Sequence, residues 1–306
     1  MEAIVSNEPE TLTEDKPHRA LEAAAFNREA EAELLVTVIE RRPGWRFIDL
    51  GELWRYRELL YFLVWRDIKV RYKQTVLGVA WAILQPLATM IAFTLVLGKI
   101  AQKPDDAVPY PLFVFAGLLA WTFFSNAVSS ASSSVIGNER LVTKVYFPRL
   151  LVPLSAVVGA VVDFAIAFVM LLVLMPFFGL LPGWSLLAVL GMVVLMTLLA
   201  SSLGVLLSAL TVAYRDFRYV VPFTLQLWMF VTPAIFLQDL QVLGPRMESG
   251  LMLNPVHGLI VNFRAAVIGG PFDLPALGVS AASGLVLFVV ASLYFRRVER
   301  TFADVI

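Results

Sequence analysis

Residues 150–213 read LLVPLSAVVGAVVDFAIAFVMLLVLMPFFGLLPGWSLLAVLGMVVLMTLLASSLGVLLSALTVA, and Asp163 is the one charged side chain among them. A hydrocarbon core about 30 Å thick is crossed by roughly 20 apolar helical residues, and only helices or closed barrels satisfy their backbone polar groups there. The stretch is long enough for two crossings, with Gly179, Pro182 and Gly183 breaking it between them. Working outward, further uncharged runs predict spans at 77–98, 112–134, 220–238 and 274–295, beside 150–178 and 185–213. The fold class is therefore an all-α polytopic membrane protein with six transmembrane helices.

Composition agrees. Apolar residues make up 59% of the 306 residues, charged residues 16%, and the mean hydropathy is +0.77, far from ordinary globular usage. Cysteine is absent, which excludes disulfides and thiolate metal sites. Residues 1–49 carry no apolar signal segment, so the first span is expected to direct insertion. Within them residues 1–33 hold nine acids against Lys16, Arg19 and Arg28, the composition of a solvated tail. The short apolar run at 34–39 reads either as a strand or as an interaction segment.

From Trp54 to Lys73, Tyr61, Val64, Trp65, Ile68 and Tyr72 recur at helical spacing, while Arg66, Lys69 and Lys73 share another face. This predicts an amphipathic helix in the membrane interface, within residues 50–76, leading into the first span. A soluble helix packed on the N-terminal segment is the alternative. Lysine and arginine then orient the chain. The side bearing the termini holds twenty, among them Arg140, Lys144, Arg149, Arg215, Arg218, Arg296, Arg297 and Arg300, against Lys99, Lys103, Arg246 and Arg264 on the other. The positive-inside rule makes both termini cytoplasmic. The domains expected are an N-terminal extension (1–49), the interface helix (50–76), a six-span domain (77–295) and a cytoplasmic tail (296–306).

The longest external connection, 239–273, contains an apolar run from Leu259 to Ile268, preceded by Asn254 and Pro255 and followed by Gly269, Gly270 and Pro271. Ten residues are too few to cross, so an interfacial or re-entrant helix is expected.

Chemistry is sparse. There is no G-x-x-x-x-G-K-[ST] loop to cradle nucleotide phosphates, and His18 and His257 stand in unrelated regions without metal-ligand spacing. Asp163 reads either as a proton or substrate site or as a hydrogen-bonded packing residue, because a lone buried charge in a span demands a partner. Ser129 to Ser134 and Ser201, Ser202, Gly204 and Ser208 allow helices to approach closely. The aromatic residues Trp81, Phe115, Trp121 and Phe124 serve either as packing and interface anchors or as a stacking lining for sugars.

At this point the residues resemble the type-2 ABC exporter permeases for polysaccharides of the O-antigen, capsule and teichoic-acid kind. The resemblance lies in Glu52-Leu53-Trp54-Arg55-Tyr56-Arg57-Glu58, Trp65-Arg66-Asp67-Ile68-Lys69-Val70-Arg71-Tyr72-Lys73-Gln74, Asn138-Glu139-Arg140-Leu141 to Phe147-Pro148, Tyr214-Arg215-Asp216, Thr232-Pro233 and Asn254-Pro255. It covers about residues 45–300. It implies a homodimer in the inner or plasma membrane enclosing a channel, and two copies of a separate ATP-binding subunit that carry the ATP and magnesium. It also implies outward movement of a lipid-linked polysaccharide, with membrane lipids as surroundings and no nucleic acid. The permease would be no enzyme and hold no cofactor of its own. The segment around Asn254, Pro255 and Arg264 would be an external gate, with Arg264 meeting either a carrier phosphate or an acid.

Residues 137–148 combine Glu139, Arg140 and Lys144 with Leu141, Val145, Tyr146 and Phe147, a mixture suited to docking in the ATPase. Arg66, Asp67, Lys69 and Arg71 of the interface helix are expected beside it. A solvated connecting loop is the alternative. The alternatives for the whole chain are a type-2 exporter of drugs or small lipids, a polytopic glycosyltransferase or acyltransferase lacking a visible catalytic acid, and a secondary transporter lacking intramembrane ion pairs.

Overall fold

The structure is a computed structural model that describes residues 50–73, 80–97, 109–232 and 250–302, all within one compact unit, Gly44–Ile306. Expectations placed on residues 1–49, on Gln74 and the end of the interface helix, on Lys99, Lys103, Pro233 and Arg246, and on the last four residues fall outside the described residues.

Helices α1 (Leu50–Arg55) and α2 (Arg57–Lys73) precede α3 (Ala80–Leu97), α4 (Tyr110–Gly137), the short α5 (Glu139–Lys144) and α6 (Leu151–Phe177). A 3-10 turn, Trp184–Leu186, opens α7 (Leu187–Ala213), followed by α8 (Phe217–Val231), α9 (Pro255–Ile268), α10 (Leu274–Val298) and a last 3-10 turn, Glu299–Thr301. Among the described residues there is no strand. Among the described residues, four helices are long and apolar enough to cross a membrane: Tyr110–Gly137, Leu151–Phe177, Trp184–Ala213 and Leu274–Val298. Two of the six predicted spans are shorter, with apolar parts Ile83–Val96 in α3 and Phe217–Val231 in α8. The predicted fifth span ran on to residue 238, beyond the described part of α8.

Helix α4 is the hub. It packs on α3, α6, α7, α8 and α9, and 17 of its 28 residues are buried. By contrast α10 buries only Ala276, Ser280, Gly284, Ala291, Ser292 and Phe295. Outward faces of the crossing helices stay apolar, as at Val169, Leu190, Val194 and Val286, because lipid replaces water as their solvent. Small residues set a close crossing of α4 and α7, as the serine and glycine spacing predicts. A Cβ on Gly204 of α7 would stand 2.5 Å from the Ala131 Cβ of α4.

The apolar interior has two parts. The larger runs along the bundle and includes Phe115, Phe124, Leu171, Met196 and Phe263. The second sits at the end bearing α5 and joins Leu63 of α2, Val142 of α5, Phe147, Leu150 to Val152, Val205, Phe295 and Phe302. Phe302 is fully buried and meets Phe295 edge-on at 5.3 Å. The Arg149 guanidinium also donates to the Glu299 carbonyl. The region expected as a tail after residue 295 is therefore folded onto the bundle as far as Phe302.

The run expected to be interfacial or re-entrant forms α9, and it is buried rather than half-exposed, with Val256 to Ile260 and Asn262 to Val267 inside. It packs on α4, α7 and α10. A Cβ on Gly258 would come within 2.2 Å of the Ala276 carbonyl oxygen, so only glycine permits this approach of α9 to α10.

Candidate functional site

The α5 end of the bundle gathers most of the residues expected to face a partner. Asn138 closes α4 and opens α5, its amide donating to the Ser134 carbonyl at 2.8 Å. Its side-chain oxygen accepts from Arg66 Nη2 at 2.7 Å, and the same guanidinium pairs with Asp67 at 2.7 Å. Arg66 thus ties α2 to the start of α5. The α2 helix and residues 137–148, expected to lie side by side, meet through this Arg66–Asn138 bond.

Within that surface the residues divide. Glu139, Arg140, Lys144 and Tyr146 are exposed, Tyr146 to 77%. Leu141 is half-buried, and Phe147 is 6% exposed inside the second core. On α2, Lys69 turns outward, with Nζ 5.2 Å from the Trp65 ring centre. Trp65 in turn stacks on Tyr61 with centroids 6.4 Å apart. The face that sequence spacing assigned to one side is split, since Ile68 and Tyr72 turn toward the bundle while Tyr61 and Trp65 stay exposed. Asp67 and Arg71 line a cleft of about 200 Å³ with Ser130, Ser133, Asn138 and Gly159.

Asp163, the lone acid of the spans, has partners there. The Arg71 guanidinium pairs with one carboxylate oxygen and the Tyr72 hydroxyl donates to the other. Burial first, and then the bond to Asp163, push the Tyr72 phenol up to about 12, so it keeps its proton and remains a donor at neutral pH. Of the two readings open for Asp163, the structure shows a hydrogen-bonded contact between helices. Periodicity had no means of finding Arg71 and Tyr72 as its partners, 92 and 91 residues away.

The four aromatics considered for a sugar lining do not come together. Phe115, Trp121 and Phe124 are 1%, 4% and 1% exposed, while Trp81 is 55% exposed on α3. Trp121 and Phe124 pack on each other and on Trp228 of α8. These three therefore fill the interior of the single chain and offer no open face along which a glycan could slide.

The candidate gate residues are also built in. Asn254 caps α9, its side-chain oxygen accepting from the Val256 amide at 3.1 Å and from Trp228 Nε1 at 3.2 Å. Its amide donates to Thr232 Oγ1 at 2.9 Å, so one side chain ties α8 to α9. Pro255 occupies the first turn, where its missing N–H costs nothing. Arg264 is 5% exposed, with its guanidinium carbon 3.9 Å from the Phe113 ring centre. Asn262, not among the residues singled out from the sequence, donates to the Gly258 and Asp273 carbonyls and joins α9 to the start of α10.

Residues 58–268 match the family described as ABC-2 type transporter. The chain belongs to the ABC-2 type transporter family. It is a multi-pass membrane protein with the helical bundle described above. This ABC-2 chain is 31% identical over 252 residues to the O-antigen export system permease protein RfbA of Myxococcus xanthus, covering 81% of its own length and 95% of the relative's. It is 25% identical to a protein of the same description from Klebsiella pneumoniae, over 84% and 97% of the two chains. It is also 24% identical to the polysialic acid transport protein KpsM of Escherichia coli, over 76% and 91%. The matched ABC-2 region begins at Glu58, inside α2, and ends with α9 at Ile268, so it contains the candidate docking and gate residues and leaves out the whole of α10.

Proposed function

We propose that this chain is the membrane subunit of an ATP-driven exporter of polysaccharide. The observation that carries this reading is likeness along nearly the whole length of relatives described as O-antigen export permease and polysialic acid transport protein. The exposed knob of Arg140, Lys144 and Tyr146, beside Arg66 and Lys69, is suited to docking a separate ATP-binding subunit, one copy per permease, which brings the ATP and magnesium. Its concentration of positive charge supports a cytoplasmic orientation for this end and for both termini, in the inner or plasma membrane. The exposed row of Tyr61, Trp65 and Lys69 on α2 suits the headgroup boundary, where aromatic rings and lysines settle.

The permease works as a homodimer in this reading. Helices α3 and α8 both pack on α4 and leave Trp81, Ile91, Leu95, Phe223 and Phe230 exposed, an apolar surface that a second copy can cover. A lipid-linked glycan then passes between the halves, with Trp81 as the remaining aromatic candidate for the path and α9 with Asn254, Pro255 and Arg264 as the outer gate. The test is co-purification with an ATP-binding subunit followed by export from membrane vesicles. ATP-dependent transfer of a lipid-linked polysaccharide supports the reading. A stable complex that moves only drugs or short lipids would shift it to the small-molecule branch of the same architecture, and glycosyl or acyl transfer by the chain alone would overturn it.

A further inference from the structure

Helix α2 is held to the bundle at three levels by three kinds of contact. Near its start Leu63 lies in the second core with Val142 of α5 and Leu151 of α6. At its middle Arg66 bonds Asn138, the residue from which α5 springs. At its end Arg71 and Tyr72 grip Asp163, which lies about 18 Å along α6 from Leu151 at 1.5 Å per residue. A helix lying flat in the membrane plane meets a crossing helix at one level. Contacts spread from the Leu151 end of α6 to Asp163 mean that α2 leans along α6.

Between the middle and the end of α2 the packing is not filled. The cleft of about 200 Å³ opens there, bounded on the bundle side by Ser130, Ser133 and Gly159, whose side chains are small or absent. Ile68 of α2 and Ala156 of α6 are the apolar side chains lining it, and the two polar ties flank it on either side. Asp163 is the acid that accepts both bonds, and an arginine in apolar surroundings without that carboxylate would be driven toward the headgroups.

We infer that Asp163, through Arg71 and Tyr72, is the positioning residue by which displacement of the α2–α5 surface is passed into the membrane bundle. The inference rests on the proposed docking of an ATP-binding subunit at that surface and adds the route from it. A push on α5 reaches α2 through Asn138 and Arg66, and α2 delivers it to the middle of α6 through the latch. A tie made by one carboxylate holds a fixed register while leaving the helix free to tilt across the cleft, which a greasy interlocked contact would resist.

The experiment uses the full complex of permease and ATP-binding subunit in membrane vesicles, with association, ATP hydrolysis and export measured on the same preparations. Asp163→Asn keeps the shape and removes the charge. Export is expected to fall by about tenfold, the order of change that loss of one charge-assisted hydrogen bond produces, with association and hydrolysis within about twofold of wild type. The double variant Arg71→Asp/Asp163→Arg, which reverses the pair, is expected to recover most of that export, as is Asp163→Glu. Wild-type export in Asp163→Asn overturns the inference. Equal loss of export and hydrolysis overturns it also. If Asp163→Asn fails to assemble, the reversed pair decides: assembly with export supports the latch, and assembly without export assigns Asp163 to folding alone. The wild-type complex run alongside separates the two readings, since absence of ATP-dependent export there speaks against the exporter, whereas a defect confined to the variants speaks to the latch.

Discussion

Tyr146 and Phe147 are consecutive residues that face opposite ways, the first 77% exposed beyond α5 and the second 6% exposed against Leu63, Val142 and Leu151. Phe147 holds the loop down and Tyr146 is what the loop presents. The two alanine variants should therefore separate. Tyr146→Ala should leave thermal stability within about 0.5 kcal/mol of wild type, as surface changes do, and weaken binding of the ATP-binding subunit by about tenfold or more, as loss of an aromatic anchor does. Phe147→Ala should lower stability by about 3 kcal/mol, the cost of emptying a phenylalanine site in a packed core. Thermal unfolding in detergent and a pull-down read the two effects.

Asn254→Ala removes the α9 cap and both ties to α8 at Trp228 and Thr232. The expected loss is about 1–3 kcal/mol, combining a helix cap with a hydrogen bond left unmade in a dry site. Asn254→Ser, which can still cap, should recover part of it. Thermal unfolding of both variants in detergent reads the loss and the recovery.

Gly258→Ala should be the costliest single methyl in the bundle, because its Cβ would stand 2.2 Å from the Ala276 carbonyl oxygen. Backbone atoms cannot rotate out of the way, so α9 must shift from α10 at an expected cost of about 1–3 kcal/mol. Gly278→Ala on the same α9–α10 pair meets nothing within 4 Å and should be neutral. The contrast is readable as yield of monodisperse protein after heating.

Phe124→Ala should behave as a core mutation, costing about 3–5 kcal/mol, because its ring is 1% exposed and wedged against Trp121 and Trp228. Trp81→Ala, on an exposed ring, should spare stability and reduce glycan export if α3 lines the path. Export that falls in step with stability for both variants would remove the aromatics from the path altogether.

The membrane character, the helical class and the positions of the long helices were legible in the chain. A charge inside a span is so costly that uncharged runs mark helices, and 112–134, 150–178 and 274–295 fall within a few residues of α4, α6 and α10. The helix α9 starts at Pro255, four residues before the apolar run at 259–268 that marked it, because Asn254 caps it and proline is tolerated in the first turn. Burial was not legible. A helix that is apolar on every side in lipid carries no signal for which face meets protein, so Phe115 and Phe124 read the same as Trp81 until tertiary packing put the first two inside. Tyr146 and Phe147, in the loop after α5, were also separated only by tertiary packing, since two adjacent aromatic residues outside a helix carry no period that tells core from surface. Sequence alone required Asp163 to have a partner, because a bare carboxylate in a span is untenable. That the partners are Arg71 and Tyr72 was decided by α2 leaning along α6, a contact between segments some ninety residues apart that no local pattern encodes.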